Sequence, residues 1–156
     1  MNEGLLAQCS ETYVDGMLRS LIVSLCLLTA PVPGPVTGGF APGEGFDGHW
    51  GIDLAAPTGT PVLAVADGMV TFAGSVAGMR SITIDHGGGL RTSVSYLAEF
   101  TVVVGQQVVT GERIGLSGDP HGSPGVHLSA RQDGAYVDPR PLLECLGGVI
   151  RLLPDR

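Results

Sequence analysis

The stretch RSITIDHGGGLRTSVSYLAEF, residues 80–100, indicates the fold of this chain. Ser81 to Asp85 alternate polar and apolar residues, as a half-buried β-strand does, and three glycines then separate this run from the next. Short runs of the same kind, bounded by turn residues, continue from Ile52 to the segment AYVDP at 135–139. The spacing predicts an all-β domain with a mostly antiparallel sheet and long loops.

Two regions depart from this strand pattern. The segment PVPGPVTGGFAPGEGFDG, residues 31–48, is rich in proline and glycine without an apolar period, so we expect an extended segment and a loop. The segment PRPLLECLGGVIRLL, residues 139–153, is the one run with a helical pattern. It predicts a short C-terminal helix.

The composition limits the classes of function. A chain of 156 residues fits one compact domain with a terminal appendage. The net charge is −7 and all eight basic residues are arginines, which leaves no basic surface for nucleic acid. Glycine-rich runs such as GTPVLAVADGMVTFAG also look like half of a lipoyl or biotinyl carrier domain, but that function needs a lysine for cofactor attachment and the chain has none.

The N-terminal part has the features of an export signal. Residues 17–34, MLRSLIVSLCLLTAPVPG, carry one arginine and then an apolar run from Leu21 to Leu28 of the length of a signal-peptide core. Residues 1–16 are acidic, unlike the start of a signal, so we interpret them as a tail or a start-site artefact. Cleavage near Gly34 and an uncleaved anchor both remain open; residues 35–156 are the expected domain. Localisation would then be extracellular or in the cell envelope.

The cysteines predict neither a disulfide framework nor a thiolate metal site. Cys9 and Cys26 precede or lie within the signal-like segment, which leaves Cys145 alone in the expected domain.

The segment HWGID, residues 49–53, contains two residue types that bind zinc. A catalytic Zn²⁺ site uses three protein ligands, commonly histidine nitrogen and carboxylate oxygen, and keeps a fourth position open. His49 and Asp53 would lie about 13 Å apart on a straight strand, so they can reach one ion only if the chain bends between them. Gly51 can provide this bend. The alternative is a solvated loop histidine and a turn aspartate.

A third ligand has to come from His86, His121 or His127. His127 lies in the alternating run VHLSAR, where odd-numbered positions share one face of a strand that would hold the ring in place. A half-buried histidine bonded to the backbone is the alternative. His86 precedes three glycines and is interpreted as a turn residue.

Four segments in order, HWGIDLAAPTGTPVLAVADGMVTFAG, ITIDHGGGLRTS, VVVGQQVVTGERIGLSG and VHLSARQDGAYVDP, resemble the lysostaphin/LytM-type zinc endopeptidases over residues 36–143. The resemblance implies that family's peptidase fold, with cleavage of peptide bonds in peptidoglycan. The family binds Zn²⁺ through the histidine and aspartate of H-x-G-x-D and the second histidine of an H-x-H strand. His49 and Asp53 match the first motif directly.

The third ligand depends on the alignment, because this chain has one histidine where the family has two. If His127 is the second histidine, the family's spacing leads to Asp138-Pro139 without a gap, and Gly125 replaces the first histidine. If His127 is the first, Ser129 replaces a zinc ligand and a two-residue insertion is needed. We prefer the first alignment, which predicts a Zn²⁺ site of His49, Asp53 and His127.

A second departure concerns catalysis. The family's Tyr-x-His-Leu segment supplies a histidine beside the metal, but SVSYLAEF contains none: Tyr96 takes its position, or Ala98 in a shorter alignment. Both auxiliary histidines are therefore absent. Tyr96 and His121 are candidate substitutes, and packed or loop positions without a catalytic role are the alternatives.

The resemblance thus implies an exported zinc metalloendopeptidase that acts on peptidoglycan or its cross-bridge peptides, with impaired catalysis. The alternative function is a zinc-containing, inactive module that binds peptidoglycan or regulates another cell-wall hydrolase. Neither function needs nucleic acid or, unless the signal is uncleaved, a stable transmembrane span.

Overall fold

The computed structural model describes residues 9–10, 20–25, 27–45, 47–144 and 146–151, with side chains for 27–45 and 47–144. The described residues do not include most of the acidic tail, Cys26 or Cys145. The predictions made for them are therefore not tested by the structure. Among the described residues, no helix is long and apolar enough to cross a bilayer.

The described residues form sixteen β-strands, one 3₁₀ turn and one short helix. The strands are β1 (Cys9–Ser10), β2 (Ser20–Leu25), β3 (Val36–Gly38), β4 (Ala41–Pro42), β5 (Gly48–His49), β6 (Ile52–Ala55), β7 (Pro61–Leu63), β8 (Gly68–Val76), β9 (Met79–Gly87), β10 (Leu90–Ser95), β11 (Leu97–Phe100), β12 (Gln107–Val108), β13 (Arg113–Ser117), β14 (Gly125–Gln132), β15 (Ala135–Val137) and β16 (Leu146–Arg151). The 3₁₀ turn is Pro120–Gly122 and the helix, α1, is Arg140–Leu143.

The largest sheet has the order β12-β8-β9-β10-β14-β6-β3, with β15 also paired to β14. Smaller sheets have the orders β11-β13-β7, β4-β5 and β1-β2-β16. Each of these strand pairs is antiparallel. The predicted all-β, antiparallel domain is therefore confirmed.

The alternation read from the sequence is the reason for this architecture. Ile82 and Ile84 of β9 and Val94 of β10 are buried on one face of the large sheet, while residues between them point the other way. In β14 the buried positions are Val126, Leu128 and Ala130, which places His127 on the opposite face. Burial of each large aliphatic side chain stabilises the fold by about 1.5–3 kcal/mol.

The packed core begins upstream of residue 35, where the sequence had suggested the domain would start. Leu28 and Val32 are each 1% exposed and belong to the core cluster. The backbone N–H of Thr29 donates to the Val65 carbonyl at 2.7 Å, which fixes this segment against the sheet. Residues of the signal-like segment are thus structural parts of the folded domain.

The predicted short C-terminal helix is confirmed as α1, and the structure refines two local expectations. The helix ends at Leu143, and Leu146–Arg151 form strand β16 instead of continuing it. Gly147 and Gly148 explain the early end, because glycine in a helix interior costs about 1 kcal/mol relative to alanine. The segment 31–48, expected to be an extended segment and a loop, also contains the short strands β3 and β4 and begins β5.

Candidate metal centre and active site

His49 is held in one orientation by the backbone. Its Nδ1 lies 2.6 Å from the carbonyl oxygen of Gly39, and because a carbonyl can only accept, Nδ1–H donates. This tautomer leaves a lone pair on Nε2, which is 3.2 Å from Oδ1 of Asp53. The Nε2 atom is buried, and the described residues give it no hydrogen-bond partner.

Gly51 lies in the bend between β5 and β6 that brings His49 next to Asp53. The predicted bend is therefore present, but glycine is required there for space. A Cβ at this position would lie 2.4 Å from the Leu128 carbonyl oxygen and 2.5 Å from Nε2 of His127. Any side chain would push β14 and its histidine away from Asp53.

His127 faces Asp53 directly across neighbouring strands. The two residues are register partners in the β14–β6 pair, and Nδ1 of His127 lies 2.9 Å from Oδ1 of Asp53. Burial lowers the pKa of His127, while the hydrogen bond to Asp53 opposes that shift. Burial thus favours the neutral imidazole, which is the form that binds a metal.

His121 reaches the same point from the 3₁₀ turn Pro120–Gly122. Its Nε2 is 3.8 Å from Oδ2 of Asp53, and its side chain is 53% exposed. Its ring centroid lies 5.6 Å from that of His49 and 6.2 Å from that of His127. The residue has a φ of +51°, a left-handed conformation that is uncommon for residues other than glycine.

Tyr96 flanks the same cluster. Its ring centroid lies 5.1 Å from that of His121 and 6.4 Å from that of His127. Its φ is +63°, so two non-glycine residues at the cluster have left-handed backbones. In the part of the chain that the structure describes, the other two such residues, Ala77 and Asp133, lie in two-residue hairpin turns that require positive φ. Tyr96 and His121 lie outside such turns, and strain of about 1–3 kcal/mol per residue commonly marks functional sites.

The structure brings His49, Asp53, His121 and His127 together, with one ligand atom from each residue and all four atoms within 4.8 Å of one another. Sequence reasoning named all four, but only the structure places His121 beside Asp53. Ser129, the alternative ligand, is opposite Ser93 in the β14–β10 pair and lies one pleat further along β14. Ala98, which takes the position of the family's auxiliary histidine in the shorter alignment, lies in β11.

His86 does not belong to this cluster. It lies in β9 and not in a turn as predicted, with Nδ1–H donating to the Asp67 carbonyl at 2.7 Å and Nε2 2.8 Å from Oγ1 of Thr92. Burial lowers its pKa, which favours the neutral ring that satisfies both contacts.

The cluster fits a zinc ion. The buried, unpartnered Nε2 of His49 is the lone pair that a metal would use, and a ligand histidine usually donates its other N–H to a carbonyl or carboxylate, as this one does to Gly39. Neutral histidines and one carboxylate are a normal zinc donor set. Sequence reasoning missed the Gly39 carbonyl, because a backbone acceptor leaves no residue-type signal.

Histidine nitrogens with one carboxylate are also the ligands that zinc-dependent hydrolases use in their catalytic sites. The profile of peptidase family M23 matches residues 47–139, more than half of the chain, and the chain belongs to this family. It is a peptidase-like domain.

Individual relatives agree with this assignment. A DD-carboxypeptidase/endopeptidase of Neisseria meningitidis is 44% identical over 94 residues, which cover 58% of this chain and 22% of that protein. The antimicrobial peptidase lysostaphin from Staphylococcus simulans superposes with a TM-score of 0.65 at 26% identity, covering 74% of this chain and 53% of the other. A zinc containing peptidase from Vibrio cholerae superposes with a TM-score of 0.62 at 27% identity, covering 73% of this chain and 39% of the other. The chain thus spans under a quarter of the Neisseria protein's length.

Proposed function

We propose that this domain is a zinc-dependent endopeptidase that cleaves peptide bonds in peptidoglycan. The observation that carries the proposal is the convergence of His49, Asp53 and His127, with the buried Nε2 of His49 lacking any other partner among the described residues. These three residues would hold the ion through Nε2, Oδ1 and Nδ1. When bound, Zn²⁺ supplies Lewis acidity that polarises a peptide carbonyl and makes water a stronger nucleophile.

We assign the auxiliary roles to the two strained residues. His121 is exposed enough to exchange protons with solvent, and its Nε2 lies at the edge of the cluster, so it takes the proton from the attacking water and returns it to the leaving amine. The Tyr96 hydroxyl donates a hydrogen bond to the carbonyl oxygen as negative charge develops on it. His121 is held only by a short turn, so we expect turnover to be slower than in relatives with two auxiliary histidines.

The substrate and location follow from the resemblance to the lysostaphin/LytM-type enzymes. Peptidoglycan or its cross-bridge peptides lie outside the cytoplasmic membrane, so the proposal includes export to the cell envelope. The burial of Leu28 and Val32 favours a leader that ends before residue 28 or stays attached, because cleavage near Gly34 would remove both side chains from the core.

A second function is favoured by the same four-residue cluster. If His121 binds the metal as a fourth ligand, the site is closed in the manner of structural zinc sites. The domain would then be an inactive module that binds peptidoglycan or regulates another cell-wall hydrolase.

The His121→Ala variant separates the two functions. With purified peptidoglycan and pentaglycine as substrates, an auxiliary role predicts zinc-dependent cleavage that falls by about 10² or more in kcat in the variant, with zinc content unchanged. A closed site predicts no cleavage by the wild type and weaker zinc retention in the variant. Chelator treatment followed by zinc addition is the control for metal dependence in both proteins.

Metal content tests the ligand set independently of activity. We expect His127→Ala to lose zinc, measured by elemental analysis after dialysis, while Ser129→Ala retains about one ion per chain. Ser129 is the matched control because it lies on the same face of β14. Zinc loss in Ser129→Ala with retention in His127→Ala would instead support the alternative alignment.

A further inference from the structure

An open groove of about 470 Å³ begins at Tyr96 and extends to the β8–β9 hairpin. Its lining residues are Ala77, Gly78, Met79, Arg80, Tyr96, Leu97, Ala98, Gly118 and Asp119. Tyr96 contributes to both the groove and the metal cluster, so a peptide bound at the cluster can continue into the groove. The groove is small, and most of its lining is apolar or backbone, so its two charged residues dominate its chemistry.

Arg80 is the one cation in this lining. Its Nη1 donates to the carbonyl oxygen of Ala98, which lies in β11 across the groove from the hairpin. Arg80 is exposed, and this contact directs its guanidinium toward the groove; its other N–H groups make no side-chain ion pair among the described residues. A guanidinium whose remaining N–H groups make no ion pair can bind a planar carboxylate through two parallel hydrogen bonds.

The surrounding charge makes this cation selective. The chain carries a net charge of −7, and Arg91 is already paired with Asp85 at 2.9 Å. Arg80 makes no ion pair within 4.0 Å among the described residues, although Asp119 lines the same groove. An anionic ligand is repelled by Asp119 and by the acidic surface, and Arg80 is the group that offsets this repulsion locally.

We infer that Arg80 is a specificity residue that recognises a carboxylate on the substrate peptide close to the bond that is cleaved. The inference rests on the proposed peptidase function and adds the substrate class: peptides that carry a carboxylate, either the C-terminal main-chain group or an acidic side chain. Arg80 binds the substrate and takes no part in the chemistry at the cluster.

The test measures binding separately from turnover. Tetra-alanine and pentaglycine are each prepared as free acid and C-terminal amide, and Ala-Ala-Glu-amide is compared with Ala-Ala-Gln-amide. Dissociation constants for the zinc-loaded full chain are measured by calorimetry. We expect at least one acid to bind about threefold to tenfold more tightly than its uncharged counterpart, the range of a solvent-exposed ion pair. The C-terminal and glutamate pairs distinguish the two sources of the carboxylate.

Variants assign the effect to the residue. Arg80→Gln should reduce the ratio of dissociation constants to near one, and Arg80→Lys should reduce it partly because lysine lacks the fork geometry. Asp119→Asn should raise the ratio, since it removes the repulsion. Arg113→Gln is the matched control, since Arg113 is exposed but does not line the groove, and it should leave the ratio unchanged.

Equal binding of acids and uncharged peptides by the wild type, or an unchanged ratio in Arg80→Gln, would overturn the inference. Failure of the proposed function would be recognised by a different measurement. No peptide would then be cleaved in a zinc-dependent way, independently of the ratio of dissociation constants.

Discussion

Substitution of two adjacent leucines tests whether the segment before β3 is an integral part of the domain. Leu28 is 1% exposed and its backbone N–H donates to the Leu142 carbonyl at 2.9 Å, whereas Leu27 is 49% exposed. Leu28→Ala removes three buried carbon atoms, worth about 2–2.5 kcal/mol in transfer free energy, and leaves a cavity, so we expect a loss of about 3 kcal/mol in the free energy of unfolding. Leu27→Ala should change it by less than about 0.5 kcal/mol.

Thermal unfolding followed by circular dichroism, with zinc at the same saturating concentration throughout, measures the difference. For a domain of this size the Leu28→Ala variant should melt about 6–12 °C below the wild type, and the Leu27→Ala variant within about 2 °C of it. Urea titration gives the free energies independently. If both variants melt with the wild type, the segment does not pack on the sheet and the domain begins further along the chain, as its composition had suggested.

Two further predictions concern the site and its surroundings. Gly51→Ala should separate β14 from β6 and lower the zinc affinity at least tenfold in a competition titration with a chelator. Gly74→Ala is the control and should keep the wild-type zinc affinity, because its Cβ would meet only the Phe72 ring at 3.1 Å. Equal zinc affinities of the two variants would show that the strands can move apart without disturbing the ligands. Burial lowers the pKa of His86, so the unfolded chain binds more protons than the folded one below the ordinary histidine pKa of about 6.5, and stability falls as the pH falls through this range. The His86→Gln variant should lose stability less steeply than the wild type between about pH 6.5 and 5 in urea titrations, and parallel curves would contradict the assignment. At lower pH, protonation of Asp67, whose pKa is lowered by its hydrogen bonds from Thr110, should add to the loss in both proteins.

The strands of the sheet could be predicted from the sequence because the pattern that specifies each strand lies within that strand. In the middle of β9 and β14 the apolar residues at every second position are buried, so the period of two gives both the element and its inner face. The short strands between residues 36 and 49 have no such period, since each has two or three residues and its position is fixed by distant partners. The short helix predicted near the C-terminus is present, but the second half of that segment is a strand, because its position is fixed by pairing with β2.

Residue types and spacing made the metal ligands candidates, the resemblance to the lysostaphin/LytM-type enzymes selected them, and the structure brings them together. His49 and Asp53 match the H-x-G-x-D motif of that family, and the alignment to its H-x-H strand selected His127. His121 is different, because its proximity to Asp53 depends on a left-handed backbone in a short turn, and nothing in the sequence DPHGSPG determines where that ring points. The close approach of β14 to Gly51 could not be predicted either. The sequence shows a glycine at position 51, but not that the neighbouring strand passes within van der Waals distance of it.

The hydrogen bond from His49 to the Gly39 carbonyl has a consequence for how this site tolerates change. The acceptor is a peptide group, so every amino acid at position 39 supplies it, and the ring keeps its tautomer whatever side chain is present, provided that the backbone keeps its path. Point substitution at position 39 cannot delete the interaction, and an ester in place of the peptide bond would only weaken the carbonyl acceptor; removal of the segment deletes it. A chain shortened to begin at residue 47, where the family profile starts, would keep all of the cluster's side chains and still lose the group that orients one of them.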